Sequence, residues 1–111
     1  MRNLKFFEAI REATAISLRD DPSVYLVGLG VPDPKGIFGT TEGLQSEYGA
    51  DRVFDMPISE NAMTGISIGA SIDGIKSVVV HQRLDFFAHI LLPETNIFSL
   101  PASKTFQRYL K

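Results

Sequence analysis

The sequence has no cysteine, little excess charge and no long hydrophobic run, and each absence narrows what the protein can be. Without cysteine, disulfides and thiolate metal sites are both excluded, and the chain tolerates a reducing compartment. A formal net charge of -2 offers no clustered basic face for nucleic acid. Residues 1–20 carry charges among their apolar positions, and no stretch approaches the length of a membrane span. We therefore expect a soluble cytoplasmic chain that binds neither nucleic acid nor a membrane.

What the sequence does contain is the composition of an ordinary globular protein. Of its 111 residues, 44% are hydrophobic and 22% are charged, which argues against general disorder. A chain of this length forms one small domain or part of a larger one.

Apolar runs alternate with helical patterns along the first 81 residues. Runs at 24–27, 53–55 and 76–81 are rich in residues that favour strands. Helices are predicted between these runs, at about 41–48 and 61–73. This β-α-β-α-β order predicts a mainly parallel sheet with right-handed crossovers. If the second and third strands are neighbours, the residues that follow them lie at the same edge of the sheet.

An amphipathic helix is predicted before the first strand. Asn3 can cap it, and Pro22 ends it by disfavouring a helical conformation at Asp21. Its apolar face is predicted to contain the residues spaced by three and four, namely Leu4, Phe7, Ile10, Ala13 and either Ile16 or Ser17.

The segment from Asp55 to Asn61 joins a strand to a helix in a way that suggests a site. Pro57 lacks an N–H group, so the strand must end before it. Ser59 can cap the following helix with its hydroxyl group, which leaves Glu60 in the first helical turn. Ligands of open α/β sheets bind beyond the carboxyl ends of the strands. Glu60 is thus either a site residue or an acid that complements the helix dipole.

The predicted helix at 61–73 has no clean polar face, and a helix that is apolar nearly all round is buried nearly all round. Gly65 and Gly69 keep one side thin and allow close approach by a second body. That body is another subunit or a neighbouring helix of the same chain, and the sequence leaves both open.

Four segments together resemble the start of a transketolase-type pyrimidine-binding domain, above all that of the beta subunit of thiamine-diphosphate-dependent 2-oxo acid dehydrogenases. They are Glu8–Ala13, Val24–Gly28, Gly36–Leu44 and Asp51–Glu60, and the last contains the specific sequence Pro-Ile-Ser-Glu. The resemblance covers residues 4 to about 88. It implies a three-layer α/β/α thiamine-diphosphate-binding fold with a mainly parallel sheet, of which residues 1–88 form the N-terminal half, followed by a divergent tail at 89–111.

The resemblance also implies a cofactor and a partner. Thiamine diphosphate would lie across an interface, with its diphosphate held through Mg²⁺ by an alpha-type partner subunit. Glu60 would be catalytic, because the matching glutamate hydrogen-bonds N1′ of the aminopyrimidine ring and promotes loss of the C2 proton. Ile58 and Phe86 would contact the ring, although Phe86 is equally well a core residue. No metal ligand is expected in this chain, which would be inactive alone.

Two features depart from the resemblance or limit it. Leu29 stands where the dehydrogenases usually carry an acid. The family's later histidines have no counterparts, and we expect His81 to be structural rather than catalytic, with His89 in a poorly matching stretch. The alternative function is therefore a non-catalytic remnant or interaction domain that retains the fold, and the substrate stays open.

Overall fold

The structure is a computed structural model that describes residues 3–33, 35 and 37–83. Phe86, His89 and the expected tail at 89–111 lie outside the described residues. Three helices and three strands follow one another in the described part. They are α1 (Phe6–Asp20), β1 (Val24–Gly28), α2 (Leu44–Tyr48), β2 (Val53–Asp55), α3 (Glu60–Ile72) and β3 (Lys76–Val80), with a short 3₁₀ turn at Ile37–Gly39 before α2.

The three strands form one parallel sheet in the order β2-β1-β3. Gly28 pairs with Asp55 on one side and with Val80 on the other, so these three residues end their strands in one row. We call this row and the loops that leave it the carboxyl edge. The condition that β2 and β3 are neighbours is not met, because β1 lies between them. The predicted parallel α/β sheet is confirmed.

The sheet is covered by helices on both faces. On the first face, α1 and α2 enclose a core of fully buried side chains, which are Leu18, Leu26, Leu44, Val31 and Val53, with Val24 almost as deeply buried. On the second face, α3 packs through Met63 and Ser67. Alternate residues of a strand point to opposite faces, which is why apolar residues fill β1 almost without interruption.

The predicted apolar face of α1 is only partly correct. Leu4 lies before the helix, and Ile10 and Ile16 are substantially exposed, whereas Leu18 is completely buried. The side turned toward the protein runs through Arg11, whose Nε donates to the Glu42 carbonyl oxygen at 2.6 Å. A long polar side chain can cover an apolar surface while its charged end finds hydrogen bonds, so hydropathy alone did not place Arg11 on the inner side of α1.

The ends of α1 also differ in part from the prediction. The helix ends at Asp20, as expected from Pro22, but its N-cap residue is Lys5 and not Asn3. The Glu8 carboxylate accepts the Lys5 backbone N–H at 2.7 Å. An acid in the first turn thus satisfies a donor that the sequence interpretation assigned to an asparagine.

At the opposite, amino end of the sheet, charged side chains join α1 to the strands. Lys76 Nζ donates to Asp21 Oδ2 at 2.6 Å, and Arg52 donates to the carbonyl oxygens of Asp21 and Val24. Hydrogen bonds from Lys76 and then from Ser23 lower the pKa of Asp21 well below its usual range. These contacts hold the amino end of the sheet together, far from the carboxyl edge.

Candidate functional site

Glu60 lies where the sequence analysis placed it, at the first residue of α3 and beyond the carboxyl end of β2. Its side chain is half-buried, and none of the described residues hydrogen-bonds or ion-pairs with its carboxyl group. A carboxylate near a helix N-terminus is stabilised by the helix dipole and by the unpaired N–H groups there. Within the described part of the chain, Glu60 is therefore held in place by backbone and still has both oxygens available.

The expected hydroxyl cap of α3 is not formed. Ser59 is the N-cap residue, but its side chain makes no capping hydrogen bond. The first helical bond instead joins the Met63 N–H to the Ser59 carbonyl oxygen at 2.9 Å. With φ at −162° and ψ at 89°, the extended Ser59 lies outside the usual N-cap geometry, which accounts for the missing bond.

Ile58 is the second predicted site residue, and it stands open to solvent two residues before Glu60. Its side chain is 87% exposed. Ile58 and Glu60 thus place an apolar and an acidic group on one short segment at the carboxyl edge. Phe86, the third predicted site residue, lies outside the described residues.

The segment that leads to Glu60 is tied to the loop after β1. The Met56 N–H donates to the Gly28 carbonyl oxygen at 2.9 Å, and Asp55 Oδ1 accepts the Val31 N–H at 2.8 Å. The sequence interpretation missed this role of Asp55. In the sequence, Asp55 is recognisable only as an acid at the end of a strand. Nothing in the spacing of residues indicates that it binds Val31, which is 24 residues away.

Leu29 contributes its backbone to the same loop. Its carbonyl oxygen accepts a hydrogen bond from Gln82 Nε2 at 2.9 Å. Gln82 follows β3 and Asp55 ends β2, so the loop after the central strand is held by one residue from the end of each neighbouring strand.

Two cavities of about 290 and 240 Å³ flank the sheet, and neither is lined by Ile58 or Glu60. The larger lies between α1 and β3, and the smaller lies between α3 and the sheet. His81 lines the larger one beside Thr41 and Val80. Ile58 and Glu60 thus lie outside these two cavities, and the structural role predicted for His81 stays a prediction.

The described residues contain neither a membrane span nor a metal-binding cluster. None of the helices there is long and apolar enough to cross a bilayer. No group of three or more histidine, aspartate or glutamate side chains in the described ranges could hold a metal ion.

The parallel sheet between helical layers, with an acid at a helix start on its carboxyl edge, defines an α/β domain of the kind that holds ligands beyond its strand ends. Comparison with known protein families identifies which family of α/β domains this is. The chain belongs to the family described as "Transketolase, pyrimidine binding domain", which matches residues 2–106.

Individual relatives agree with this family. The chain is 44% identical over 79 residues to the pyruvate dehydrogenase E1 component subunit beta of Mycoplasma genitalium and 46% identical over 79 residues to that of Mycoplasma pneumoniae. It is 37% identical over 86 residues to the same subunit of Staphylococcus aureus. These matches cover 71%, 71% and 78% of this chain but only 24%, 24% and 26% of the relatives. The chain thus corresponds to about a quarter of those subunits.

Proposed function

We propose that this chain supplies the aminopyrimidine-binding side of a thiamine diphosphate site in an enzyme of the 2-oxo acid dehydrogenase or transketolase type. The observation that carries the proposal is the position of Glu60, within the Pro-Ile-Ser-Glu sequence, at the first turn of α3 on the carboxyl edge. Membership of the pyrimidine-binding-domain family and similarity to pyruvate dehydrogenase E1 beta subunits support it. The reaction would be an oxidoreductase step on a 2-oxo acid whose identity stays open.

The two described site residues fit one side of such a cofactor. Glu60 offers a carboxyl group without a partner among the described residues, and a ring nitrogen needs a group that can share a proton with it. Ile58 offers an exposed apolar surface on which a flat ring can lie. Thiamine diphosphate, when bound, supplies the acidic C2 carbon that adds to the keto group of a 2-oxo acid. Glu60 would hold the proton at N1′, Ile58 would support the ring, and Phe86 would stack on it.

The proposed site needs a second subunit, because this chain would bind only the aminopyrimidine side of the cofactor and the diphosphate must be held elsewhere. In the proposed enzyme an alpha-type subunit holds that diphosphate through Mg²⁺, so that this chain is not active alone. Two exposed apolar side chains at the carboxyl edge support this arrangement, since Ile58 and Phe38 are 87% and 75% exposed. Phe38 is moreover the only described non-glycine residue with a positive φ, at 56°. A partner that covered these side chains would remove their apolar surface from water, which favours association.

The outer side of α3 is a second surface for a partner or for another copy of this chain. A methyl group built on Gly65 or Gly69 meets no atom within 4 Å, and Ile66 between them is 58% exposed. A helix side so thin allows a second backbone to approach closely. We place the assembled protein in the cytoplasm, without a role for nucleic acid or a membrane.

Calorimetry tests the proposal directly. The full chain is titrated with thiamine diphosphate and Mg²⁺, alone and together with a candidate diphosphate-binding subunit. We expect heat of binding only with both proteins present, and we expect Glu60→Gln to weaken it. The same substitution at the exposed Glu42, whose backbone alone takes part in a described hydrogen bond, is the matched control. Absence of binding in every combination would favour the alternative, an interaction domain that retains the fold without turnover.

A further inference from the structure

The loop that follows β1 is held at the carboxyl edge from two sides. Asp55 Oδ1 accepts the Val31 N–H at 2.8 Å, and Gln82 Nε2 donates to the Leu29 carbonyl oxygen at 2.9 Å. Asp55 ends β2 and Gln82 follows β3, so each neighbour of the central strand contributes one side chain. The exit of β1 is therefore fixed relative to both flanking strands.

Of these two side chains, Asp55 acts on the segment that carries Glu60. The next residue, Met56, donates its N–H to the Gly28 carbonyl oxygen at 2.9 Å, so two consecutive residues are bound to the exit of β1. Val31 is 1% exposed. Water therefore has poor access to its N–H group, and loss of the carboxylate would leave a buried donor unpaired or force the loop to move.

Only four residues separate Asp55 from Glu60, and they leave little freedom between the two. Pro57 has a fixed φ, and Met56 is fastened by its own hydrogen bond. Because the Ser59 hydroxyl makes no cap, no side-chain capping bond holds the start of α3, which packs on the sheet through the buried Met63. The position of Glu60, which precedes Met63, then depends on that packing and on how the end of β2 is held.

We propose that Asp55 is a positioning residue, which fixes Glu60 at the carboxyl edge by binding the Val31 N–H. The proposal deepens the proposed function and rests on it for its catalytic consequence. If Asp55 has only a structural role, replacing it lowers the stability of the fold and leaves the surroundings of Glu60 unchanged. If Asp55 positions Glu60, replacing it changes those surroundings even in molecules that stay folded.

The first test needs neither cofactor nor partner. In the isotope-labelled full chain, hydrogen exchange of the Val31 amide and the ¹³C chemical shift of the Glu60 carboxyl group are measured at one fixed pH. We expect Asp55→Ala to speed exchange at Val31 on the order of tenfold, since a hydrogen bond to a charged acceptor is lost, and to displace the Glu60 signal. In Asp55→Asn, the Val31 exchange rate and the Glu60 chemical shift should both lie much closer to the wild-type values, because the asparagine side-chain oxygen can accept the same N–H.

Asp21→Ala is the matched control. Asp21 also accepts a backbone N–H at 2.8 Å, from Ser23, but at the amino end of the sheet. Asp21→Ala should destabilise the chain without changing the ¹³C chemical shift of the Glu60 carboxyl group. A Glu60 signal that stays in place while the Val31 amide is exposed by Asp55→Ala would overturn the proposal. If Asp55→Ala does not fold, Asp55→Asn decides, because its weaker neutral bond must still give a smaller, measurable displacement.

The second test uses the assembled enzyme with thiamine diphosphate. We expect Asp55→Ala to slow exchange of the cofactor C2 proton on the order of tenfold or more, with Asp55→Asn in between, since small misplacements of a catalytic group are costly. Unchanged exchange in Asp55→Ala would overturn the catalytic part. Failure of the proposed function is seen separately, as an unchanged rate of C2 exchange in Glu60→Gln. The Glu60 chemical shift in the Asp55 variants still reports on the positioning role in that case.

Discussion

Gly28 lies so close to Val80 that a methyl group on its Cα would stand 2.5 Å from the Val80 carbonyl oxygen and 2.9 Å from a methyl carbon of Val31. The contact joins the carboxyl ends of β1 and β3. We expect Gly28→Ala to destabilise the chain by about 2 kcal/mol or more, because backbone atoms cannot move aside as a flexible side chain can. Urea unfolding measures this cost, and a loss below about 0.5 kcal/mol would contradict such tight packing.

Gly69→Ala should have the opposite effect on the isolated chain. Gly69 lies inside α3, and a methyl group there meets no atom within 4 Å in the described structure. Alanine is favoured over glycine in a helix interior by about 1 kcal/mol, so we expect a gain of that size in urea unfolding.

The same substitution tests whether the thin side of α3 is an interface. If a partner or a second copy packs against Gly65 and Gly69, the added methyl group should weaken association although it stabilises the monomer. Sedimentation of the wild type and of Gly69→Ala over a range of concentrations compares the two. Equal association, or a wild type that stays monomeric at high concentration with no partner bound, would argue against this interface.

Acid should weaken the amino end of the sheet. The pKa of Asp21 is lowered in the folded chain by its hydrogen bonds to Lys76 and Ser23, so the folded state favours the charged form more than the unfolded state does. This stabilisation is fully present above the ordinary aspartate pKa of about 4 and is lost as the pH falls below it. Urea unfolding between pH 6 and 3 measures this loss of stability, and we expect the free energy of unfolding to fall less steeply with pH in Lys76→Gln than in the wild type. Lys35→Gln, an exposed lysine in a loop, should leave the wild-type profile unchanged.

The elements of this fold were predictable because their signals are local. The run of valines at 78–80 and the apolar residues at 24–27 mark strands by composition alone, and Pro57 marks the end of β2. Glu60 was predictable for the same reason, since its position relative to strand and helix follows from seven consecutive residues. Identification of the family also needed only the order of such short segments.

What could not be predicted depends on contacts between distant residues. The order of the strands is one example, since nothing in the runs shows that β1 lies between β2 and β3. The buried side of α1 is another, because it combines the apolar Leu18 with Arg11, whose hydrogen bond to the Glu42 carbonyl group joins residues 31 positions apart. The role of Asp55 is a third, since it requires knowing where the Val31 N–H points.

The proposed catalytic role of Glu60 can be tested on the cofactor itself. In the assembled enzyme we expect Glu60→Gln to preserve the fold, because the two side chains are nearly isosteric and the start of α3 keeps a polar residue. It should slow exchange of the C2 proton of bound thiamine diphosphate by on the order of 10²-fold or more, the usual scale for a positioned proton-transfer group. Glu60→Ala should do the same. NMR follows the C2 proton in deuterated buffer for each variant and for the control Glu42→Gln, which should exchange like the wild type.

The competing role for Glu60 gives a different result in the same experiment. An acid that only complements the dipole of α3 contributes roughly 0.3–1 kcal/mol to stability and nothing to exchange. Glu60→Gln would then shift the urea midpoint slightly while the C2 proton exchanged at the wild-type rate. Since the position of Glu60 carries the proposed function, equal exchange rates in the two proteins would remove the main reason to regard this chain as part of an enzyme.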